Sequence, residues 1–465
     1  MRALSRAPSR RGQRGQILIL TGLTLIVLIG AVGLAVDAGR AYGVKARLNA
    51  AVDAASIAAA RAIAQGADEG ARIANAQAAA VRFFNLNYPA DFLSSTPSAP
   101  TTVAVHESDG RWRVRVSATA EMPTTFMRVL GRTEFNVAAM GEAVRRDLDV
   151  ILVMDTSGSI GADFPTLQLA AKNSFVNKFT PGVGGDRLGL VTFASGAWLD
   201  VPIDKTANRG FDRPTVVNAI NSLTEIGPTA SAEGMRKALD ELNLVPAVNR
   251  SSLRVILLFS DGAPNIINGT FLRSGGTVTD VGNLDGSYLF GPVPYKPGVV
   301  WPPNQRYVAD TATFYTDIVA LPSQGSGTIP LASFDNRRTF TGASFPQPHP
   351  YENTKCNASR AARNMLENVA NMARGQDIRV YSIGLGNRLT QVENPYDLDP
   401  SAPFDCGYNP TTETGSAILK RVANTADSGA TISGQPQGLY CHAASGSELD
   451  RCFSTIASEI LRLTL

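Results

Sequence analysis

The chain reads Asp149-Val150-Ile151-Leu152-Val153-Met154-Asp155-Thr156-Ser157-Gly158-Ser159, an apolar run that ends in carboxyl and hydroxyl side chains. A short uncharged run of this kind is typical of a strand that is buried on both faces of a parallel sheet. Such sheets bind their ligands at the carboxyl ends of the strands. The stretch therefore predicts a central strand and a polar site where that strand ends.

Strand-like and helix-like segments alternate from this point to the end of the chain. Strands are predicted at 149–154, 188–193, 253–259, 378–384 and 438–441. Helices are predicted at 164–179, 213–223, 232–242, 357–373, 414–427 and 447–463. This alternation predicts an α/β fold, with a doubly wound, mostly parallel sheet over residues 147–465. The stretch 265–355 breaks the rhythm and is expected to be a long insertion, because it is rich in Gly, Pro and aromatic residues.

The N-terminus carries a basic segment before an uncharged one. Arginines are frequent in residues 1–16, residues 17–36 carry no charge, and the first acidic residue is Asp37. A stretch of about 20 apolar residues is long enough to cross a bilayer as a helix. Because basic flanks stay in the cytoplasm, we expect a single-pass membrane protein with its N-terminus in the cytoplasm and its bulk exported. The alternative is a cleaved secretory signal, whose apolar core is usually only about 7 to 15 residues long.

Residues 37–146 predict a small α+β region. An alanine-rich helix is expected to continue from Asp37 to about Phe84, interrupted only by Gly66 and Gly70. Its small-residue face suits close packing on another helix, although an ordinary stalk helix packed on its own domain fits equally well. A β-hairpin is predicted at 102–106 and 112–118, and a further strand at 134–143.

All four cysteines lie in the last quarter of the chain, and no two of them form a Cys-x-x-Cys pair. In an oxidising envelope this usage predicts two disulfides, and four cysteines allow three connectivities. We expect Cys356 to pair with Cys406, because both should lie near the edge where strands leave the sheet, and Cys441 then pairs with Cys452. Zinc binding is not expected, since only His442 is nearby.

Five oxygen-bearing side chains fall on three separate loops of the predicted sheet. They are Asp155, Ser157, Ser159, Thr229 and Asp261. Magnesium takes oxygen ligands and keeps several waters, so these residues predict a Mg²⁺ site, with Mn²⁺ or Ca²⁺ as alternatives. Because the protein supplies few direct charges, the ion stays electrophilic and can accept a carboxylate from outside.

The motif Asp155-x-Ser157-x-Ser159, with Thr229 and Asp261, resembles the metal-ion-dependent adhesion site of von Willebrand factor A domains. The resemblance implies direct metal contact by the two serines and contact by Thr229 in the ligand-bound form. It also implies that the aspartates act largely through water. The long insertion after Asp261 departs from the compact family pattern and bears on access to the metal.

The N-terminal region resembles the TadE/TadG family of tight-adherence (Flp) pilus assembly proteins. The resemblance rests on the strings at 10–16, 36–40 and 48–55, and the combination with an A-type domain is similar to TadG-like proteins. Related pilins are cleaved after a glycine that has a glutamate five residues beyond it. Gly15 is followed at that place by Leu20, so we expect this chain to remain anchored.

These features and the resemblance favour a pilus protein that is not an enzyme. It is expected to be anchored in the bacterial inner membrane, with its bulk in the periplasm or cell envelope. Its expected partners are a protein with an exposed carboxylate, pilin-like or Tad secretion-machinery components, and the membrane. A net charge of +3 without a basic block past the N-terminus gives no support for a nucleic-acid partner.

Three other functions compete with this interpretation. The first is a Mg²⁺-dependent hydrolase, although His106, His349 and His442 are all remote in sequence from the site. The second is a surface adhesin that is independent of any pilus. The third is an A-type domain that serves a cytoplasmic ATPase, which the apolar span and the cysteines oppose. For the insertion, a recognition lid beside the cation and a structural cap are equally open.

Overall fold

The structure is a computed structural model of the 465-residue chain. It describes residues 14–63, 69–107, 111–225, 227–272, 279–285, 300–301, 320–325, 328–332, 338, 340, 351–352, 355–391 and 413–464. The chain divides into two compact units, with the boundary between Arg145 and Arg146. Each unit has its own hydrophobic core.

The first unit contains two helices and a four-stranded sheet. Its elements are α1 (Arg14–Ala62), α2 (Glu69–Asn87), β1 (Thr96–Pro97), β2 (Thr101–His106), β3 (Arg111–Pro123) and β4 (Glu134–Arg146). Strand β3 pairs with all three other strands, antiparallel with β1 and β2. The predicted hairpin and the predicted strand over 134–143 are therefore confirmed.

Helix α1 is long and apolar enough to cross a membrane. Its side chains are exposed throughout 17–32, whereas its later part is buried against the rest of the unit. Leu48 and Val52 of α1 share a core with Trp112, Val114 and Val116, which alternate along β3. The structure describes helix over α1 and α2, on both sides of residues 64–68, and those five residues of the helix expected to run to Phe84 lie outside the described part.

The second unit is built around a six-stranded sheet. The elements of its first half are β5 (Leu148–Asp155), α3 (Phe164–Ala170), β6 (Arg187–Phe193), β7 (Ala197–Val201), α4 (Arg213–Asn221), α5 (Ser231–Asn243) and β8 (Leu253–Ser260). The insertion contributes β9 (Ile266–Leu272), β10 (Thr279–Asp285), β11 (Val300–Trp301), β12 (Ala320–Leu321) and β13 (Tyr351–Glu352). The last elements are α6 (Lys355–Arg374), β14 (Ile378–Leu385), α7 (Gly415–Val422), β15 (Tyr440–Ala443) and α8 (Leu449–Leu463).

The strand order of the main sheet is β15-β14-β8-β5-β6-β7. The first five strands are parallel, and β7 is an antiparallel edge strand. All eight residues of β5 are buried, which is why its sequence is apolar without alternation. The α/β fold and the mostly parallel sheet that the sequence predicts are confirmed, and the edge strand β7 is an addition.

Successive residues of β5 point into two separate cores. Ile151 and Val153 pack with α5, α6 and α7 on one face of the sheet. Val150 and Leu152 pack with α3, α4 and α8 on the other. With both faces covered, the carboxyl edge of the strands is left to form a site.

Part of the insertion packs beside this sheet. Strands β9 and β10 form an antiparallel hairpin, and β11 pairs with β10. Ile267, Leu321, Ile329 and Leu331 join the hydrophobic core on the α5 and α6 face. The sequence also suggests a strand at 311–319, and these residues lie outside the described part.

Candidate metal site

The site begins with Asp155, the last residue of β5. Its carboxylate is fully buried. One carboxylate oxygen, Oδ1, accepts a hydrogen bond from the Ser157 backbone N–H at 2.8 Å, and the other, Oδ2, accepts one from Ser260 Oγ at 2.7 Å. Ser260 ends the neighbouring strand β8. The carboxylate therefore ties the turn after β5 to the end of β8.

A line of hydroxyls leads from this carboxylate to the surface. Ser157 Oγ and Ser159 Oγ are 3.1 Å apart, and Ser159 Oγ donates to Asp261 Oδ1 at 2.9 Å. Ser157 is buried, Asp261 is half-buried and Ser159 is exposed. Four of the five side chains predicted from the sequence thus lie in one connected group that opens to solvent.

Thr229 is held next to this group by its backbone. Gly158 N–H donates to the carbonyl of Gly227 at 3.1 Å, which joins the turn after β5 to the loop before α5. The Thr229 N–H donates to Asn265 Oδ1 at 2.8 Å, and the Asn265 N–H donates back to the Thr229 carbonyl at 3.2 Å. Gly227 has φ +96°, a conformation that favours glycine. The three loops are therefore connected by hydrogen bonds.

Ionisation of the two carboxylates of the site is unfavourable without a cation. Burial raises the pKa of Asp155 to about 6, despite the hydrogen bonds from Ser157 and Ser260. Burial and the Asp155 charge together raise the pKa of Asp261 to about 8, and the Arg388 charge offsets this only in part. Two neighbouring carboxylates with raised pKa values, without a close basic partner among these contacts, form an environment that a cation would stabilise.

The available donors fit a hard divalent cation. Within the described ranges, no group of three His, Cys, Asp or Glu side chains is placed to hold a metal, so a cation here needs hydroxyl ligands as well. Ser157 and Ser159 supply such hydroxyls beside Asp261. An all-oxygen donor set suits Mg²⁺ or Ca²⁺ and does not suit the softer metals that prefer thiolate or imidazole.

Two residues of the site carry no role in the sequence interpretation. Ser260 lies in the Ser-Asp-Gly string and holds the second oxygen of Asp155. Asn265 positions Thr229 and is the first residue of the insertion. The sequence marks Ser260 by its position, because it is a hydroxyl residue that directly follows an apolar run.

A disulfide joins Cys441 of β15 to Cys452 of α8, with a Cα to Cα distance of 5.5 Å. This is the expected pairing, and it fixes the last helix of the unit to the edge strand of the sheet. The expected pairing of Cys356 with Cys406 lies outside the described part, because residues 392–412 are not described.

Comparison with protein families gives two matches. Residues 150–263 match the von Willebrand factor type A domain. Residues 15–62 match the putative Flp pilus-assembly TadE/G-like family. No curated protein matches the chain.

Several solved structures match part of the chain. The vWF domain of the type V pili tip protein Mfa5 from Porphyromonas gingivalis is 18% identical with a TM-score of 0.38, and the match covers 70% of this chain and 98% of that one. The PilB minor pilin from Streptococcus sanguinis is 14% identical with a TM-score of 0.36, covering 80% of this chain and 79% of that one. Proximal thread matrix protein 1 from the mussel byssus, with a zinc-occupied MIDAS motif, is 14% identical with a TM-score of 0.33. That match covers 68% of this chain and 46% of that one. From the two family matches, the chain combines a Flp pilus-assembly TadE/G-like N-terminal region with a von Willebrand factor type A domain.

Proposed function

We propose that this chain is a membrane-anchored envelope protein of a tight-adherence (Flp) pilus system. Its α/β unit binds a carboxylate-bearing protein partner through a Mg²⁺ ion. The ion is held by the hydroxyls of Ser157 and Ser159, by Thr229, and by Asp155 and Asp261 acting largely through water. The role is capture of a partner in pilus assembly or adhesion.

The single observation that carries the proposal is the connected group formed by Asp155, Ser157, Ser159 and Asp261. Its hydrogen bonds of 2.8 to 3.1 Å bring two loops to one place at the carboxyl edge of the sheet. Both carboxylates have raised pKa values, mainly because they are buried, and the Arg388 charge offsets this at Asp261 only in part. A divalent cation would supply the positive charge that favours their ionised form.

The chemistry of the ligands explains why the ion would seek a partner. Hydroxyl ligands carry no formal charge, and a carboxylate that acts through water neutralises the ion only weakly. A Mg²⁺ ion held in this way keeps a strong preference for another oxygen anion. Because Ser159 is exposed, an acidic side chain of a partner protein can reach the group from solvent.

The N-terminal region supports the cellular setting. The TadE/G-like match covers most of α1, whose apolar first half has exposed side chains. We place that half in the inner membrane with the arginine-rich N-terminus in the cytoplasm. The partners then include pilin-like or Tad secretion-machinery components in the envelope.

The proposal is tested by isothermal titration calorimetry, in which Mg²⁺ is titrated into the full chain in detergent micelles. The unaltered chain is expected to bind one ion. Asp155→Asn keeps the size of the side chain but removes its charge, and is expected to lower the affinity about 10- to 100-fold.

The matched control is Asp427→Asn. Asp427 is an exposed carboxylate that pairs with Lys420 at 2.6 Å, and it follows the C-terminal end of α7, near the opposite edge of the sheet. This variant is expected to bind Mg²⁺ as the unaltered chain does. Equal affinity in all three proteins, or no binding in any, would contradict the proposed metal site.

A further inference from the structure

A loop of the first unit packs on α1 inside the apolar half of that helix. Residues 124–133, the 124–133 loop, connect β3 to β4 and contain the 3₁₀ turn Met127–Leu130. An ideal Cβ atom built on Gly33 would lie 2.5 Å from the Phe126 Cβ. Gly33 is the one buried residue between 17 and 36, so the loop rests directly on the bare helix backbone there.

Asp37 fixes the loop at this height on the helix. Its fully buried carboxylate accepts the backbone N–H groups of Thr125 at 3.0 Å, Phe126 at 2.8 Å and Met127 at 2.8 Å. Arg40, one turn further along α1, donates to Thr125 Oγ1 at 2.7 Å. Three charge-assisted hydrogen bonds to one carboxylate hold a short turn firmly, so the loop cannot slide along the helix.

The position of Gly33 sets the depth of the loop. The apolar span 17–36 is about 30 Å long at about 1.5 Å per residue, which matches the hydrocarbon core of a bilayer. Gly33 lies three residues before the end of the span, or about 4.5 Å inside it along the helix axis. A side chain in contact with Gly33 therefore lies at the level of the outermost hydrocarbon.

The loop presents apolar and basic side chains. Phe126 is 43% exposed and Val129 is 89% exposed. The Val129 N–H donates to the Phe126 carbonyl at 3.1 Å, and residues three apart in a 3₁₀ turn lie on the same side of it. Arg128 and Arg132 are exposed. The loop itself contains no acidic residue, and Glu121 and Glu134 lie at its base on the adjoining strands.

We propose that the 124–133 loop is a second membrane contact, in which Phe126 and Val129 enter the lipid of the leaflet where α1 leaves the membrane. Arg128 and Arg132 lie at the level of the lipid phosphates. An exposed aromatic and aliphatic pair flanked by basic residues is the composition of segments that bind at the membrane interface. The inference rests on the proposed anchoring by α1, and it adds that the first unit is docked on the bilayer surface.

The exposed side chains of the 124–133 loop contact lipid because the loop packs against the spanning helix. The contact at Gly33 lies within the span itself, so any bilayer around α1 surrounds the loop as well. A helix of a second copy or of a pilin-like partner could cover the same residues, and the experiment separates these cases.

The test places one environment-sensitive fluorophore on Val129→Cys in the full chain, reconstituted in vesicles that contain anionic phospholipid. Lipids with a nitroxide close to the headgroup serve as quenchers. Because interfacial segments bury their apolar side chains about 5 to 10 Å into the headgroup and acyl boundary, the label is expected to lose most of its fluorescence. Background labelling of the chain's own cysteines is measured by treating the chain without the new cysteine under the same non-reducing conditions.

The matched control is Val248→Cys. Val248 is also a valine in a 3₁₀ turn, Ala247–Asn249, and it is also 89% exposed. It lies in the second unit, in whose described residues no helix is long and apolar enough to cross a membrane, and its label is expected to keep its fluorescence. Since both positions are surface valines, neither variant is expected to disturb folding.

A third label, on Gly22→Cys, separates the failure of this inference from the failure of the anchor. Gly22 lies within the span, and a Cβ there meets no neighbouring atom within 4 Å. Quenching of the Gly22 label by deep nitroxides together with an unquenched Val129 label would overturn the inference and leave the anchor standing. A Val129 label that is shielded from water but unquenched by lipid would also overturn it, in favour of a protein occupant. An unquenched Gly22 label would remove the anchor itself, and the inference with it.

Discussion

Two buried carboxylate groups of the α/β unit differ in what neutralises them. Glu413 lies among arginines: Arg338 Nε donates to both of its oxygens at 3.0 and 2.9 Å, and Arg421 Nη2 donates at 2.7 Å. Asp155 and Asp261 have hydroxyl and backbone donors instead. Asp155 is buried and Asp261 is half-buried, and among the described hydrogen bonds neither carboxylate accepts from an arginine.

The pKa values of the two sites are shifted in opposite directions. Burial opposes ionisation of Glu413, but the hydrogen bond and charge of Arg338, together with the charges of Arg363 and Arg421, lower its pKa to about 2. Burial raises the pKa of Asp155 to about 6 and that of Asp261 to about 8. A buried carboxylate that the fold itself neutralises serves stability. A carboxylate pair that the fold leaves without an arginine partner ionises more readily when a cation binds from solution, so it is suited to holding one.

The largest effect is expected from breaking the arginine cluster. Glu413→Gln leaves Arg338, Arg363 and Arg421 with less compensating charge, and losing one member of a buried ion pair costs about 3 to 5 kcal/mol. Urea denaturation with pulsed hydrogen exchange, read on peptides from β8 and β14, measures the loss for the α/β unit. Mg²⁺ affinity is expected to stay unchanged, because the cluster has no part in the metal site.

The control for this variant is Glu459→Gln. Glu459 pairs with Arg462 at 2.7 Å, and the arginine side chain is 71% exposed. Exposed pairs contribute between about 0 and 1 kcal/mol, so the unfolding midpoint should hardly move. If Glu413→Gln were as mild as this control, the arginine cluster would not be what distinguishes the two sites.

The pH dependence of stability should have opposite signs at the two sites. The contribution of Glu413 is present above its ordinary pKa of 4.5 and is lost as the pH falls through about 2. Without metal, the contribution of Asp261 is full below 3.8 and is lost as the pH rises through about 8. Each effect is expected to be on the order of a few kcal/mol, and unfolding midpoints in EDTA across this range measure both.

Magnesium should abolish the pH dependence of stability at Asp261 and leave that at Glu413 unchanged. In excess Mg²⁺ the loss of stability between pH 4 and pH 8 is expected to disappear, because the ion neutralises the carboxylates and its binding stabilises the folded state. In EDTA, Asp261→Asn should remove the loss of stability above about pH 6, whereas the loss below that pH, which Asp155 causes, should remain. A slope that survives both treatments would mean that other groups cause it.

A smaller effect is expected from Asn265→Ala. The substitution removes the side-chain acceptor of the Thr229 N–H, and one hydrogen bond contributes about 1 kcal/mol, so Mg²⁺ affinity should fall severalfold. Asn221→Ala is the control, since Asn221 accepts from Lys172 at the end of α4. Calorimetry should then find the control unchanged. Equal affinities for both variants would mean that Thr229 needs no support from the insertion.

The core of the α/β unit could be predicted from the sequence because its signals are local. The run in β5 is apolar without alternation, since the strand is buried on both faces, and the hydroxyls after it stand out against that run. The sequence also predicts that Asp155 and Asp261 lie close together, because parallel neighbouring strands end at the same edge of a sheet.

The arginine cluster could not be found in this way. Arg338 and Glu413 are 75 residues apart, and neither lies in a periodic segment. The edge strand β7 has only five residues with a mixed burial pattern, so its signal is weak.

The anchoring of the 124–133 loop was equally hidden in the sequence. Asp37 marks there only the end of an apolar span. In the structure it is a buried acceptor for three backbone N–H groups that lie 88 to 90 residues away. Backbone donors carry no residue signature, so no sequence pattern marks such a contact.

A crystal structure of the full chain grown with Mn²⁺ would examine the proposed metal site at atomic level, because Mn²⁺ replaces Mg²⁺ and gives an anomalous signal. One strong anomalous peak is expected within about 2.2 Å of the Ser157 and Ser159 hydroxyl oxygens, beside Asp261. A well-ordered turn after β5 with no peak, or with an arginine or lysine side chain in that place, would contradict the proposed site.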